Sequence, residues 1–120
     1  MSIRLKRVYD RPSKQDGCRV LVDRLWPRGL RKEHAKIDLW LKDLAPSAQL
    51  RKSFGHDAGK WREFQTRYRH ELGCKPEGVA ELSERMRESQ LTFVFAAKDR
   101  ERNNAVVLKQ YLEQHTEGRP

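Results

Sequence analysis

Two stretches of the chain hold the residue types from which a site is built. Asp23-Arg24-Leu25-Trp26-Pro27-Arg28-Gly29 follows the apolar run Val20-Leu21-Val22, and Lys98-Asp99-Arg100-Glu101-Arg102-Asn103-Asn104 follows the run Leu91 to Ala97. A carboxyl pair made of Asp23 and Asp99 would serve as general base and acid, or hold a hydrated Mg2+ near a phosphate. Arg24 and Arg28 bring planar forks that match a phosphate or carboxylate bidentately, and Lys98 adds a point charge. Asn103 or Asn104 is placed to cap a helix whose free N–H groups and positive dipole end attract an anion. Trp26, with Pro27 behind it, offers an aromatic wall. Each residue also has a plainer use: an Asp at a strand end caps a turn, a Trp beside an apolar strand packs, and Arg24 is placed to pin Asp99.

The usual enzyme signatures are missing from the sequence. It has no GxSxG, no Walker Gly-rich loop and no GxGxxG. His70 and Cys74 stand four apart with Gly73 between them, a poor metal pair, and His34, His56 and His115 fall near predicted loops or ends. No metal site and no cofactor is expected. Cys18 and Cys74 form no CxxC motif and read as free thiols of a reducing compartment.

The elements that would position these groups follow from periodicity. Ile3 to Tyr9 is β-prone, Ser13 to Gly17 is a polar turn, and residues 18–22 form a second strand. The short gap between the two strands favours an antiparallel or irregular pairing, because parallel crossovers usually need more chain. From Ile37 the spacing of Leu39, Trp40, Leu41 and Leu44 shifts towards the helical period. Pro46 then marks a break, and Ser47 caps a short helix to Phe54. A longer helix is predicted from about Asp57 to Leu72, with Trp61, Phe64, Tyr68 and Leu72 on one face and Gly73 as its stop. Another spans 77–88 on Val79, Leu82 and Met86, and the last runs from Asn103 or Asn104 to about Gln114 on Ala105, Leu108 and Leu112.

LTFVFAA, residues 91–97, is the most apolar segment and reads as a central strand covered on both faces. The whole is an α/β domain spanning 1–120: a small, mostly parallel sheet of about three short strands with about five helices packed around it, residues 114–120 forming a frayed tail. In such sheets ligands sit beyond the carboxyl ends of the strands, which is where both charged stretches fall if strands 18–22 and 91–97 are parallel neighbours.

Charge adds a second line of argument. The chain has 26 Lys and Arg against 17 Asp and Glu, a net charge of +9, and residues 1–36 alone hold 11 basic and 4 acidic side chains. A basic N-terminal third concentrates anionic partners near it. The chain contains no apolar run of membrane-spanning length and its start has no signal-peptide core, so a cytoplasmic protein with no membrane partner is expected.

Several motifs together resemble a known family. VLVDRLWPRG, DLWLKDLAPSAQLRKSFGHD, the W-x-x-F-x-x-x-Y-x-x-E-L pattern from Trp61 to Leu72, TFVFAAKD and NNAVVLKQYL are similar to the YeaO-like family of uncharacterised bacterial proteins, domain of unknown function 488. The likeness runs from about Arg4 to Gln114 and implies a small cytoplasmic α/β protein, without an established activity. Longer relatives carry an Asp-x-Arg turn after the first of these strands and a Cys-His-Arg start of the last helix. Here Asp23 and Arg24 are adjacent and Asn103-Asn104 stands where the Cys-His would fall, which argues against thiol or imidazole chemistry at those positions.

Two functions are argued from the residues, and a third, blander reading is a partner-binding module without chemistry. The first is binding of, and action on, a small phosphate- or carboxylate-bearing ligand through Arg24, Trp26, Arg28, Lys98, Asn103 and Asn104, with Asp23 or Asp99 as acid or base. The alternative is a nucleic-acid-binding accessory protein in which Arg4, Lys6, Arg7, Arg11, Lys14, Arg19, Arg28, Arg31 and Lys32 track phosphates. The oligomeric state is not legible.

Overall fold

A computed structural model describes the backbone of residues 3–117 and the side chains of residues 3–115. Four parallel strands, β1 (Ile3–Arg7), β2 (Cys18–Leu21), β3 (Leu39–Trp40) and β4 (Leu91–Phe95), form one sheet in the order β1-β4-β2-β3. Around it lie α1 (Lys32–Ala35), α2 (Ala48–Phe54), α3 (Trp61–Gly73), α4 (Pro76–Glu88) and α5 (Asn104–Glu117). The chain is thus an α/β protein with a small parallel sheet and five helices, as the patterning predicts.

β4 is central because every one of its residues is buried, and its side chains alternate between two cores. Leu91, Phe93 and Phe95 join Ile3, Val20 and Val22 in a large core with α2 to α5. Full burial of each such phenylalanine stabilises the fold by roughly 1.5–3 kcal/mol. Val94 faces the other way, with Leu21 and Val8, into a small cluster rimmed by Trp26, Leu30, Ile37 and Trp40. Helices therefore cover one face of the sheet, whereas loops and the four-residue α1 cover the other.

The helix-covered face is built from the expected stripes. Phe64, Tyr68 and Leu72 of α3 and Val79, Leu82 and Met86 of α4 are all buried, at spacings of three or four that place them on one side of each helix. Ser47 caps α2 by accepting the Leu50 N–H at 3.1 Å, and Gly55 closes it in the left-handed region at φ 51°. Asn103 caps α5 by accepting the Val106 N–H at 3.1 Å.

Several expectations are corrected. β1 and β2 are neither antiparallel nor paired with each other; both run parallel to β4, which lies between them, with Ile3 and Cys18 level with Leu91. The ten residues joining them (8–17) are long enough to do this, since extended chain covers about 3.3 Å per residue. Gly17 makes the return possible: its φ is 64°, and a Cβ there would stand 2.4 Å from the Gln90 carbonyl oxygen. The loop is fixed by a buried cluster in which Asp16 accepts from Arg19 at 2.7 Å and from Lys6 at 3.1 Å, while Arg19 also donates to the Ala35 carbonyl. Thr92 ties the strand to this loop through its hydroxyl, which donates to the Asp16 carbonyl at 2.7 Å.

The apolar group from Leu39 does not open a helix. Leu39 and Trp40 pair with Val20 and Leu21 as β3, and a 3-10 turn follows at Lys42–Leu44. Four apolar positions in six residues fit either period, and the pairing with β2 decided between them. Residues Ala58–Lys60 form a separate 3-10 turn capped by Asp57, so α3 begins at Trp61. α1 has no apolar periodicity and was not foreseen. α5 continues through Glu117 instead of fraying after Gln114. The rest of the tail, 118–120, lies outside the described residues.

Candidate functional site at the strand ends

β2 and β4 are parallel neighbours, so their carboxyl ends open onto the same edge of the sheet. Asp23 joins them. Its Oδ2 accepts the Ala96 N–H at 2.9 Å, and its Oδ1 accepts from Asn104 Nδ2 at 3.0 Å. The same Asn104 nitrogen donates to the Val22 carbonyl at 2.8 Å. On the far side, the Asp23 carbonyl accepts the Trp40 indole N–H at 2.8 Å. Burial pushes the Asp23 carboxyl above the ordinary carboxylate value; the Ala96 N–H, Asn104 and the charges of Arg51 and His56 pull the other way.

The predicted residues divide between those facing this edge and those held by their own loops. Arg24 donates through Nε to the Pro46 carbonyl at 3.2 Å, which leaves its terminal nitrogens available. Lys98, two residues beyond Ala96, has no hydrogen bond or ion pair among the described residues, and neither has the Arg28 side chain. The Arg28 carbonyl accepts from Tyr9 at 2.9 Å, which sets that loop against the end of β1. Asn104 faces the site, whereas Asn103 is buried and serves the helix cap, its nitrogen donating to the Asp99 carbonyl at 2.9 Å.

Asp99 and Trp26 are engaged locally. Asp99 accepts the backbone N–H groups of Glu101 and Arg102 and pairs with the Arg102 side chain at 3.1 Å. Those N–H groups, Arg102's first, hold its carboxyl below the ordinary value. No hydrogen bond joins Asp99 to Asp23 or to Arg24 among the described residues. Trp26 donates its indole N–H to the Leu30 carbonyl at 2.6 Å and meets Trp40 edge-on at 5.4 Å, so it packs within the loop layer.

Of the basic N-terminal residues, four are taken up internally. Arg19 is 3% exposed and fully engaged by Asp16 and the Ala35 carbonyl. Lys6 pairs with Asp16, Arg4 donates to the Gln15 carbonyl, and Arg7 donates to the carbonyls of Ala96 and Ala97. The side chains of Arg11, Lys14, Arg31 and Lys32 are exposed, with no hydrogen bond or ion pair among the described residues.

Arg51 and His56 were not singled out from the sequence, yet both act electrostatically on Asp23. The turn at FGHD marks His56 but not Arg51 in the sequence, and it does not reveal that Pro46, just before α2, meets Arg24. An open groove of about 630 Å3 lies elsewhere, between β3 and the start of α4, lined by Trp40, Leu41, Lys75, Pro76 and Gly78. Its charges oppose each other, Lys42, Lys75 and Arg85 against Asp43, Glu77 and Glu81, so it has no preference for one sign. No group of three His, Cys, Asp or Glu able to hold a metal exists among the described residues. No helix among them is long and apolar enough to cross a membrane.

A short parallel sheet whose neighbouring strand ends are joined by a carboxyl and an amide defines a small α/β protein. The chain belongs to the Inactive DUF488-N3 subclade, whose family model matches residues 2–120. It is similar to the uncharacterized protein YeaO of Escherichia coli (strain K12), 38% identical over 112 residues that cover 93% of this chain and 97% of the relative. It is also similar to the uncharacterized protein Rv3073c of Mycobacterium tuberculosis (strain H37Rv), 41% identical over 110 residues that cover 92% of each chain. The expected YeaO-like membership is therefore correct. No solved structure matches the chain.

Proposed function

We propose that this protein binds a small phosphate- or carboxylate-bearing ligand at the carboxyl ends of β2 and β4 without transforming it. The observation that carries the reading is the state of the charged groups there. Both oxygens of Asp23 and of Asp99 already accept hydrogen bonds, whereas Lys98, Arg28 and the terminal nitrogens of Arg24 have no partner among the described residues. A carboxyl that locks strand ends together is poorly placed to exchange protons with a ligand, since each transfer would disturb the lock. Cations without partners at the same edge still attract an anion. The word "inactive" in the family's description accords with binding in the absence of catalysis.

A thermal-shift panel of phosphate- and carboxylate-bearing metabolites tests the reading, with Lys98→Ala as the main variant because Lys98 supports no other contact. At least one hit should stabilise the wild type and lose that effect in Lys98→Ala. Hits that persist unchanged in Lys98→Ala and Arg24→Ala would sink it. The nucleic-acid alternative draws less support, because Lys6 and Arg19 are paired with Asp16 and Arg4 and Arg7 donate to backbone carbonyls.

A further inference from the structure

We propose that the groove between β3 and α4 is a docking site for an extended, basic peptide segment of a partner protein, which adds a strand to the outer edge of the sheet. The inference stands apart from the strand-end reading, since the groove shares none of its binding residues. β3 is the last strand of the sheet, and no strand among the described residues pairs with its outer side.

The backbone at this edge is turned outward. Leu39 and Trp40 lie level with Val20 and Leu21, and the Leu41 N–H donates to the Leu21 carbonyl at 3.0 Å. Alternate residues of a strand bond to opposite sides, so Leu39 and Leu41 face β2 while Trp40, between them, presents its N–H and C=O to the free edge. The Trp40 indole N–H, held by the Asp23 carbonyl at 2.8 Å, fixes the residue in that register.

The groove beside the edge has a volume of about 630 Å3, within the range of sites that enclose a ligand. Its floor is apolar: Leu39 and Leu41 are half-buried against the large core, with the buried Leu44 and Leu82 beside them. Gly78 lets α4 come close to this floor, because a Cβ there would stand 2.9 Å from a Leu44 methyl. From Pro76 to Arg85 the helix runs about 14 Å, the length of about four extended residues. Such a segment would exchange two main-chain hydrogen bonds with Trp40 and lay alternate side chains on the leucines.

The lining carries both signs, and the two differ in what they already hold. Lys75 donates to the Asp43 carbonyl, the Lys42 ammonium stands 4.2 Å from the centre of the Trp40 ring, and Arg85 faces Glu81 at 3.8 Å. The carboxylates of Asp43 and Glu77 are exposed, with no hydrogen bond or ion pair among the described residues. The charges without a partner are therefore acidic, and the segment that complements them carries Lys or Arg between its apolar residues. A second copy of the chain, itself at +9, is repelled far more strongly than a peptide with one or two charges.

Selection from a library of random short peptides displayed on phage, followed by fluorescence anisotropy with a synthetic copy of the most enriched sequence, tests this. The enriched sequences should alternate apolar residues with Lys or Arg, and the synthetic peptide should shift the Trp40 amide in NMR spectra. Asp43→Lys with Glu77→Lys should weaken it by at least about tenfold, and both substitutions should fold, since neither side chain holds a contact. N-methylation of alternate peptide nitrogens should abolish binding, because it removes the main-chain donors. The proposal is overturned if nothing is enriched, if acidic sequences are, or if the double variant binds like the wild type. Equal binding of the N-methylated peptide refutes the strand addition. A dimer seen in sedimentation and dissolved by Glu77→Lys would assign the groove to a second copy instead.

Discussion

Asn104 stands 3.0 Å from the Asp23 carboxylate and donates to it from the same nitrogen that reaches the Val22 carbonyl at 2.8 Å. One amide at the start of α5 thereby sets where β2 ends relative to β4. Asn104→Ala should lower stability by about 1–2 kcal/mol, measured by urea unfolding, because it leaves a half-buried carboxylate and a carbonyl short of a donor. Asn104→Asp should be worse at neutral pH and recover partly in acid, where one of the two facing carboxyls takes up a proton. Equal stability of Asn104→Asp at both pH values would contradict this account of the lock.

The Asp16–Arg19 pair is the most buried ion pair among the described residues, with 0% and 3% side-chain exposure. Asp16→Ala would leave the Arg19 guanidinium buried with only the Ala35 carbonyl to face it. A loss of about 3–5 kcal/mol is expected, enough to unfold much of the population at ambient temperature. Circular dichroism in urea reads it directly, and a loss below about 1 kcal/mol would mean that the loop relaxes to let water reach Arg19.

Two glycines share a left-handed backbone and differ in their surroundings. A Cβ on Gly17 (φ 64°) would collide with the Gln90 carbonyl oxygen, whereas one on Gly29 (φ 76°) meets nothing within 4 Å. Gly29→Ala should cost about 1 kcal/mol, the conformational penalty alone. Gly17→Ala should exceed it by at least about 1 kcal/mol, since the backbone of the β1–β2 connection must shift. Thermal melts of the two variants side by side decide the ordering.

Stability against pH should show opposed contributions. Hydrogen bonding to Arg100, which reaches Asp10 at 2.8 and 2.9 Å, holds the Asp10 carboxyl at about 2 against an ordinary 3.8. Its stabilisation is fully present above the unfolded value and is lost as the pH falls from about 3.8 towards 2. Asp23 runs the other way: its folded value is raised, so its contribution favours the folded state at low pH and is lost as the pH rises through that folded value. Asp10→Asn should flatten the acid limb of a pH–stability curve. An unchanged acid limb would show that the Arg100 pair adds nothing.

How much of this was legible follows from particular residues. β4 was visible because LTFVFAA is almost continuously apolar, whereas the parallel placement of β2 beside β4 entered the sequence reading only as a condition and is supplied by the pairing itself. The route of β1 was not visible, since nothing in Val8 to Gly17 states that the chain passes across β4; that depends on the Asp16–Arg19–Lys6 cluster and the close approach of Gly17 to Gln90. β3 was missed because Leu39 and Trp40 become a strand through pairing with Val20 and Leu21, which no local pattern encodes. Asp23, Arg24, Lys98 and Asn104 were singled out from their positions after apolar runs. The contact of Arg24 with the Pro46 carbonyl, and that of Ser47 with Glu71 of α3, were not, because they join segments distant in sequence.

The sheet order also bears on how the chain assembles. Among the described residues β1 pairs only with β4, so Ile3 stays unpaired until Leu91, far along the chain, has been made. Until then its backbone groups and the apolar side chains Ile3 and Leu5 have nothing to lie against. Such long-range closure slows folding, and Arg4, Lys6 and Arg7 put like charges along the strand, which disfavours edge-to-edge joining of two copies.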